Sequence, residues 1–538
     1  MKRNMFVLCS WIVFSAIVLF QFVLPQNASA TTAPLQIYPV QSSLYPASPD
    51  YTLTANGITV PVTHFRNYDI AQFAMGSGTT TMQLTKINNT TIGAYYISPM
   101  KLGITGTISG PTLTFSVTAN QYLIVQLDGR AKLVIAIDPY ETGAPAASGT
   151  GIFNVTASPY NAVSSTTTYS TTGFQDALND AAAWGSSQGG TAQGVVYVPS
   201  GIWTVGNLYM RSNLAFYLAP GAVIRYTGDS SQYVQNYYKT SQSRYVTWFI
   251  STRYSSTNIK VYGRGTIDGN GQATLGVDNL GMNFLVPIYT SNFTLDGITF
   301  RESSAWGIMP IRSSNLTFTN MKIFNAFDMG EDDGIDVMES TGVTVTNAVA
   351  LGLDDNFSTK TWNNAVDLFQ YIPGNPEPLN NVTFSNLLAS TYCYGMKVGQ
   401  GILQPQSSVT FQNSVVYDAA VGIGIDDKDG GTATASNILF SNIDIERIDF
   451  NNAGNETWMS LFVEDAAGPD PVDGVTLTNI NVRAAGNTPA RINGYAGSPI
   501  NNVNLKYIKM PGSSSYATSL TQMDITSPTN YGTVNIVY

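Results

Sequence analysis

Six short segments in the second half of the chain share one pattern, and that pattern leaves few folds open. They are Asn315-Leu-Thr-Phe-Thr-Asn320, Gly342-Val-Thr-Val-Thr-Asn347, Asn381-Val-Thr-Phe-Ser-Asn386, Ser408-Val-Thr-Phe-Gln-Asn413, Asn437-Ile-Leu-Phe-Ser-Asn442 and Gly474-Val-Thr-Leu-Thr-Asn479. Most hold an apolar-Thr-apolar triplet, which makes a short strand with alternate side chains inward. Each ends in Asn, at intervals of 27, 39, 27, 29 and 37 residues. A solenoid keeps its strand while coil length varies, because insertions go into loops. Stacked coils set Asn320, Asn347, Asn386, Asn413, Asn442 and Asn479 in a ladder whose amides bond from coil to coil. The varying period and missing Leu positions exclude a leucine-rich repeat, and a propeller needs a steadier period. The expectation is a parallel β-helix over residues 173–538.

The rest of the chain agrees with an all-β protein. Of 538 residues only 11% are charged, 43% are hydrophobic, and 30 are Tyr. Residues 31–157 read as short alternating strands broken by Asn56-Gly57, Gly110-Pro111 and Asp128-Gly129, the signature of a small β-sandwich. The Ser/Thr-rich residues 158–172 read as a linker. One helix is expected over Phe174–Trp184, with Phe174, Leu178, Ala181 and Ala182 on one face and Thr172 as its cap. It suits the open end of a solenoid core.

Residues 1–30 have the form of a secretory signal: Lys2 and Arg3, an apolar run from Met5 to Leu24, then Ala28-Ser29-Ala30. An uncleaved anchor is the alternative. A secreted, extracellular protein with no membrane attachment after cleavage is therefore expected, and a monomer. The net charge of −10 argues against nucleic acid as a partner. After cleavage Cys393 is the one remaining thiol, so no internal disulfide forms.

Acidic residues are scarce, yet they gather at Glu331-Asp332-Asp333-Gly334-Ile335-Asp336 and at Asp354-Asp355, about one coil apart. Crowded carboxylates raise one another's pKa, which keeps one protonated while another stays anionic. Hydrolysis of a glycosidic bond needs such a pair, one acid and one base or nucleophile. Solvated turn residues and a calcium site with oxygen ligands are the competing readings. His64, the single histidine, lies in the first domain and reads as structural or exposed. Without a histidine, the repeats hold no Ser-His-Asp, Cys-His or zinc constellation. Trp306 and Trp362 are candidates for stacking on sugar rings, with burial in the core as the alternative.

Over roughly Gly173 to Arg483 the sequence resembles family 28 of the glycoside hydrolases, the polygalacturonase group. Gly263-Arg-Gly-Thr-Ile-Asp-Gly-Asn-Gly271 is similar to its G-x-G-x-I-D-G-x-G. Ser303-Ser-Ala-Trp306-Gly-Ile-Met-Pro310, followed by Asn315-Leu-Thr, resembles S-x-x-W-x-x-x-P...N-V-T. Asp332-Asp333-Gly334-Ile-Asp336 is similar to N-T-D-G-x-D with its first two positions changed, and Asp354-Asp355-Asn356-Phe-Ser-Thr-Lys360 to D-D-N-x-x-x-K. The 21 residues from Asp333 to Asp354 match the family's spacing. The resemblance implies a right-handed β-helix and hydrolysis of a polysaccharide with inversion. It implies Asp354 as general acid and Asp333 and Asp355 activating water. Neither a cofactor nor a metal is implied.

Two departures stand out. The family's G-H-G falls at Cys393-Tyr394-Gly395, and its R-I-K at Gly424-Ile425-Asp426. Those cations grip a galacturonate carboxylate, and an Asp repels it. Lys360, Lys397 and Lys428 are the candidates to compensate. Asp336, Lys360, Trp362, Tyr394, Lys397 and Trp306 complete the expected substrate-binding set. A neutral glycan fits these departures as well as pectin does. The sandwich-then-helix layout is also similar to the family 49 dextranases and isopullulanases. Two further readings remain open: a lyase with calcium and Lys360 or Lys397 as base, and a non-catalytic glycan-binding solenoid. The long insert between Gly352 and Asn381 suits closure of one end of a cleft.

Overall fold

Alternating runs and tight turns build residues 32–139 into two facing sheets. One holds Leu35–Ile37, Val62–Phe65, Tyr68–Met75, Tyr95–Ser98, Tyr122–Leu127 and Lys132–Pro139. The other holds Tyr51–Ala55, Ile58–Val60, Thr80–Lys86, Gly106–Ser109 and Thr112–Val117. Leu53, Phe73, Leu84, Leu113, Leu123 and Ile135 meet in the core between them. The computed structural model describes residues 32–450, 455–466 and 468–538. The expected signal over residues 1–30 lies outside them. Among the described residues no helix is long and apolar enough to cross a membrane.

Parallel pairing starts at Ile152–Asn154, which lies beside Gly194–Val198. The Ser/Thr-rich stretch that follows runs along the first coil. Ser165 and Ser170 donate their amides to Ile202 and Thr204 carbonyls at 2.8 and 2.9 Å. The helix spans Thr171–Ser187 and covers the solenoid's open end with Phe174, Leu178 and Ala181. Its N-cap is Ser170, not the expected Thr172. The Ser170 hydroxyl accepts from the Val163 amide at 3.0 Å, so it braces the incoming chain rather than the helix.

From there the chain winds into a right-handed parallel β-helix. Val343, Val382, Val409, Ile438 and Val475 stand in register on successive coils. Phe384, Phe411 and Phe440 stack inside at centroid spacings of 4.7 and 5.2 Å. The Asn column bends the chain at each coil. All six residues hold positive φ of 53–56°, which Asn tolerates far better than branched residues. Asn347 donates to Asn320 at 2.6 Å, Asn386 to Asn347 at 3.0 Å, and Asn442 to Asn413 at 2.8 Å. Asn347→Ala is expected to destabilise the fold by about 1–2 kcal/mol through backbone strain alone, plus its two amide bonds. Asn347→Gly should lose less. Urea unfolding checks both, and equal losses would refute the strain argument.

The sandwich rests on the outer face of the helix. Phe65, Tyr68, Tyr122 and Val134 pack against Phe324, Phe327, Val349, Leu388 and Tyr417. At this seam lies a buried ionic group. Lys322 of the helix binds both oxygens of Asp138 from the sandwich at 2.7 and 2.9 Å. Tyr122 and Tyr38 add hydroxyls to the same carboxylate at 3.0 and 3.3 Å.

Candidate active site

The two acidic segments form turns that lead into neighbouring strands, Ile335–Met338 and Phe357–Thr361. Ile335 pairs with Phe357, and the Gly334 amide donates to the Asp355 carbonyl at 2.8 Å. This register sets Asp333 beside Asp355 on adjacent rungs, about 4.8 Å apart. Asp332 ties the turns together, since one of its oxygens accepts the Leu353 and Asp354 amides at 2.9 and 3.0 Å. Asn325 holds the first turn from behind by donating to the Asp332 carbonyl at 2.6 Å. The sandwich reaches the same point, because the Tyr68 hydroxyl donates to the Asn325 carbonyl at 2.9 Å. Neither Asn325 nor Tyr68 belongs to the acidic motifs. Only their contacts reveal them.

The three expected carboxylates occupy different electrostatic settings. Asp354 is the most exposed of them, and burial plus the Asp355 charge push its pKa up. Asp355 is 2% exposed, and burial alone would raise it too. The Lys397 and Lys360 charges outweigh that penalty and hold it below the usual carboxylate range. Asp333 is pushed up by burial and by Asp336, against the pull of Lys360. One Asp333 oxygen is buried with no protein partner, while the other takes the Lys360 ammonium at 2.6 Å.

The lysines are committed to these acids. Lys360 bridges Asp333 and Asp336 at 2.6 and 2.8 Å. Lys397 bridges Asp355 and Asp426 at 3.0 and 3.5 Å, and Lys428 bridges Asp426 and Glu464 at 3.4 and 3.8 Å. They do not stand free to replace the missing cations. Their carboxylate neighbours also hold Lys360 and Lys397 protonated against burial, which removes the basis of a lysine base. Asp354, Asp355 and Cys393 bring one donor atom each within 4.8 Å of one another. At that cluster the Lys397 ammonium already supplies the positive charge on Asp355.

The tryptophans are walls rather than platforms. Trp306 and Trp362 are 7% and 3% exposed and stack on each other at 6.3 Å between centroids. They join Tyr237, Leu368, Phe369 and Ile372 in an apolar cluster that fills the outer face upstream of the carboxylates. Lys239 stands over the Trp306 ring at 3.7 Å and pairs with Glu331 at 2.6 Å. Gln242 donates to the Gly330 carbonyl at 2.9 Å and the Thr240 amide to Asp367 at 3.1 Å. The insert after Gly352 thus packs against the tryptophans and residues 237–242.

Downstream, Tyr394 explains a departure from the expected pattern. Its ring lies against Gly424, where an added Cβ would come within 3.0 Å of the ring and 2.2 Å of the Ser460 carbonyl. Any side chain at position 424 would therefore collide with its neighbours.

The model of glycosyl hydrolases family 28 matches residues 196–528. The chain belongs to that family. A Vitis vinifera protein named "Probable polygalacturonase" is 23% identical over 273 residues, covering 48% of this chain and 54% of the relative. An Emericella nidulans protein named "Probable exopolygalacturonase B" is 24% identical over 286 residues, covering 48% and 59%. The chain spans about half the length of these curated relatives. The solved family 28 exopolygalacturonase of Yersinia enterocolitica superposes with a TM-score of 0.51 at 14% identity, covering 85% of this chain and 96% of that one. Likeness at that identity shows the fold. Where the sequence resemblance leads to an expectation of His and Arg, the chain has Tyr394 and Gly424. The two positions share one space, because the Tyr394 ring occupies what a side chain at 424 would need.

Proposed function

We propose that this family 28 chain is a secreted hydrolase that cleaves glycosidic bonds of a pectic polysaccharide with inversion. One observation carries the reading: neighbouring carboxylates are pushed in opposite directions. Asp354, the most exposed of the three, keeps its proton above the ordinary carboxylate range. It protonates the leaving oxygen. Asp355, held anionic by Lys397 and Lys360, takes a proton from water as it attacks the anomeric carbon from the opposite face. Asp333 orders that water with its unpartnered oxygen. The leaving sugar departs as an alcohol and the new hemiacetal gains the hydroxyl, so no cofactor is consumed.

The first test is a screen of homogalacturonan, rhamnogalacturonan, dextran and pullulan for new reducing ends. Proton NMR of the initial product anomer then reports inversion. Release from none of the four, or products of retained configuration, would overturn the proposal.

A pH profile tests the base. Asp355 must be ionised to activate water, so activity falls as pH drops through its pKa. Replacing Lys397 by Met removes the first of the two charges that hold this carboxyl down. The acid limb of kcat/KM is expected to move up by about 1–3 pH units. An unmoved limb would take the base role from Asp355.

A further inference from the structure

The outer face of the sheet that follows the acidic turns carries one continuous column of side chains. Asp336 pairs with Ser358, Ser358 with Lys397, Lys397 with Gly424, Gly424 with Ser460, and Ser460 with Arg491. Their neighbours Leu461 and Ile492 point into the core, so alternation turns Ser460 and Arg491 outward. Arg491 thus lies three rungs downstream of Lys397, about 14 Å across the sheet.

Arg491 differs from the other cations of this column. Lys397 is bridged by two carboxylates, whereas the Arg491 side chain makes no ion pair or hydrogen bond among the described residues. Its Nε is buried without a partner, although the residue as a whole is partly exposed. The guanidinium rests over the Phe462 ring at 4.8 Å, which fixes its plane. Asn493, outward on the same strand, leaves a buried side-chain oxygen equally unpartnered. Such groups cost stability unless something satisfies them. The upstream face is filled by the Trp306 and Trp362 cluster, so a bound polymer runs downstream, across this position.

We propose that Arg491 is an anion subsite that receives the carboxylate of a uronic acid unit a few sugars from the bond that breaks. The assignment rests on the hydrolase reading above and deepens it, because it makes the substrate an acidic polysaccharide. A planar guanidinium matches a carboxylate through two parallel hydrogen bonds. Arg491 would take over, at a different place, the charge recognition lost where Gly424 and Asp426 stand.

The experiment compares wild type, Arg491→Ala and Arg491→Lys on polygalacturonate and on its carboxyl-reduced form. With Ala, KM for the acidic polymer is expected to rise roughly tenfold to a hundredfold with kcat nearly unchanged. Lys should recover part of the loss, since it keeps charge without the fork. On the carboxyl-reduced polymer the three proteins should behave alike. An unchanged KM in Arg491→Ala, or an equal loss on both polymers, overturns the subsite. Calorimetric binding of galacturonate oligomers separates the two proposals. If no protein turns over polymer but wild type binds oligomers and Arg491→Ala does not, the hydrolysis reading fails and the subsite stands. Equal binding by both proteins would sink the subsite alone.

Discussion

Asp354→Asn is expected to lower kcat on polymer by about 10²- to 10⁴-fold, the range for removing a positioned general acid. The substitution is nearly isosteric. Asp354 accepts the Asp355 amide at 2.9 Å through one oxygen, a bond that an Asn carbonyl can also make. The turn should therefore keep its shape, and circular dichroism should match wild type. What disappears is the proton, which burial and Asp355 retain on this carboxyl. The loss should depend on the leaving group. An aryl glycoside with an acidic phenol needs little protonation, so its cleavage should fall far less than that of the polymer. Equal losses on both would point to damaged binding instead. Full activity on polymer would remove Asp354 from the reaction.

The second large effect concerns the seam between the domains. Lys322→Met is expected to destabilise the protein by about 3–5 kcal/mol, the cost of leaving a buried charge without its partner. Asp138 is 0% exposed and Lys322 1% exposed, so water cannot replace the lost ammonium. The double variant Lys322→Met with Asp138→Asn should recover part of the loss, because no bare carboxylate then remains. Urea unfolding at neutral pH measures both. A midpoint for Lys322→Met equal to that of wild type would mean that the two tyrosines and Arg264, whose Nε lies 3.9 Å from Asp138, satisfy the carboxylate on their own.

Much of this architecture was legible because a solenoid repeats its constraints. Val343, Val382 and Val409 announce inward strands, and each Asn announces a bend, since the same backbone angle recurs at every coil. The acidic turns were legible for a related reason. One coil here is 22 residues, so the turn at Asp333 falls beside Asp355 and next to Asp354, and sequence distance becomes adjacency. The helix boundary was less so, because the Ser170 hydroxyl bonds the Val163 amide instead of the helix's own first amides. The tryptophans were ambiguous on composition, and packing against Leu368 and Phe369 decided them. Charge pairing was hidden entirely. Lys360 and Lys397 look like free binding groups until the fold sets carboxylates on either side. Arg491 could have been found from the parity of its strand against Lys397, had the coil lengths between them been known.

Tyr68 reaches across from the sandwich to Asn325, whose amide in turn grips the carbonyl of Asp332. Residues 32–139 are for that reason no detachable ornament. A shortened gene product that kept only the coils would bare Phe324, Phe327 and Tyr417 to water and leave the acidic turn unsupported on its outer side. Grafting a different module onto this solenoid would have to reproduce that aromatic footing before any sugar chemistry could be expected from the hybrid.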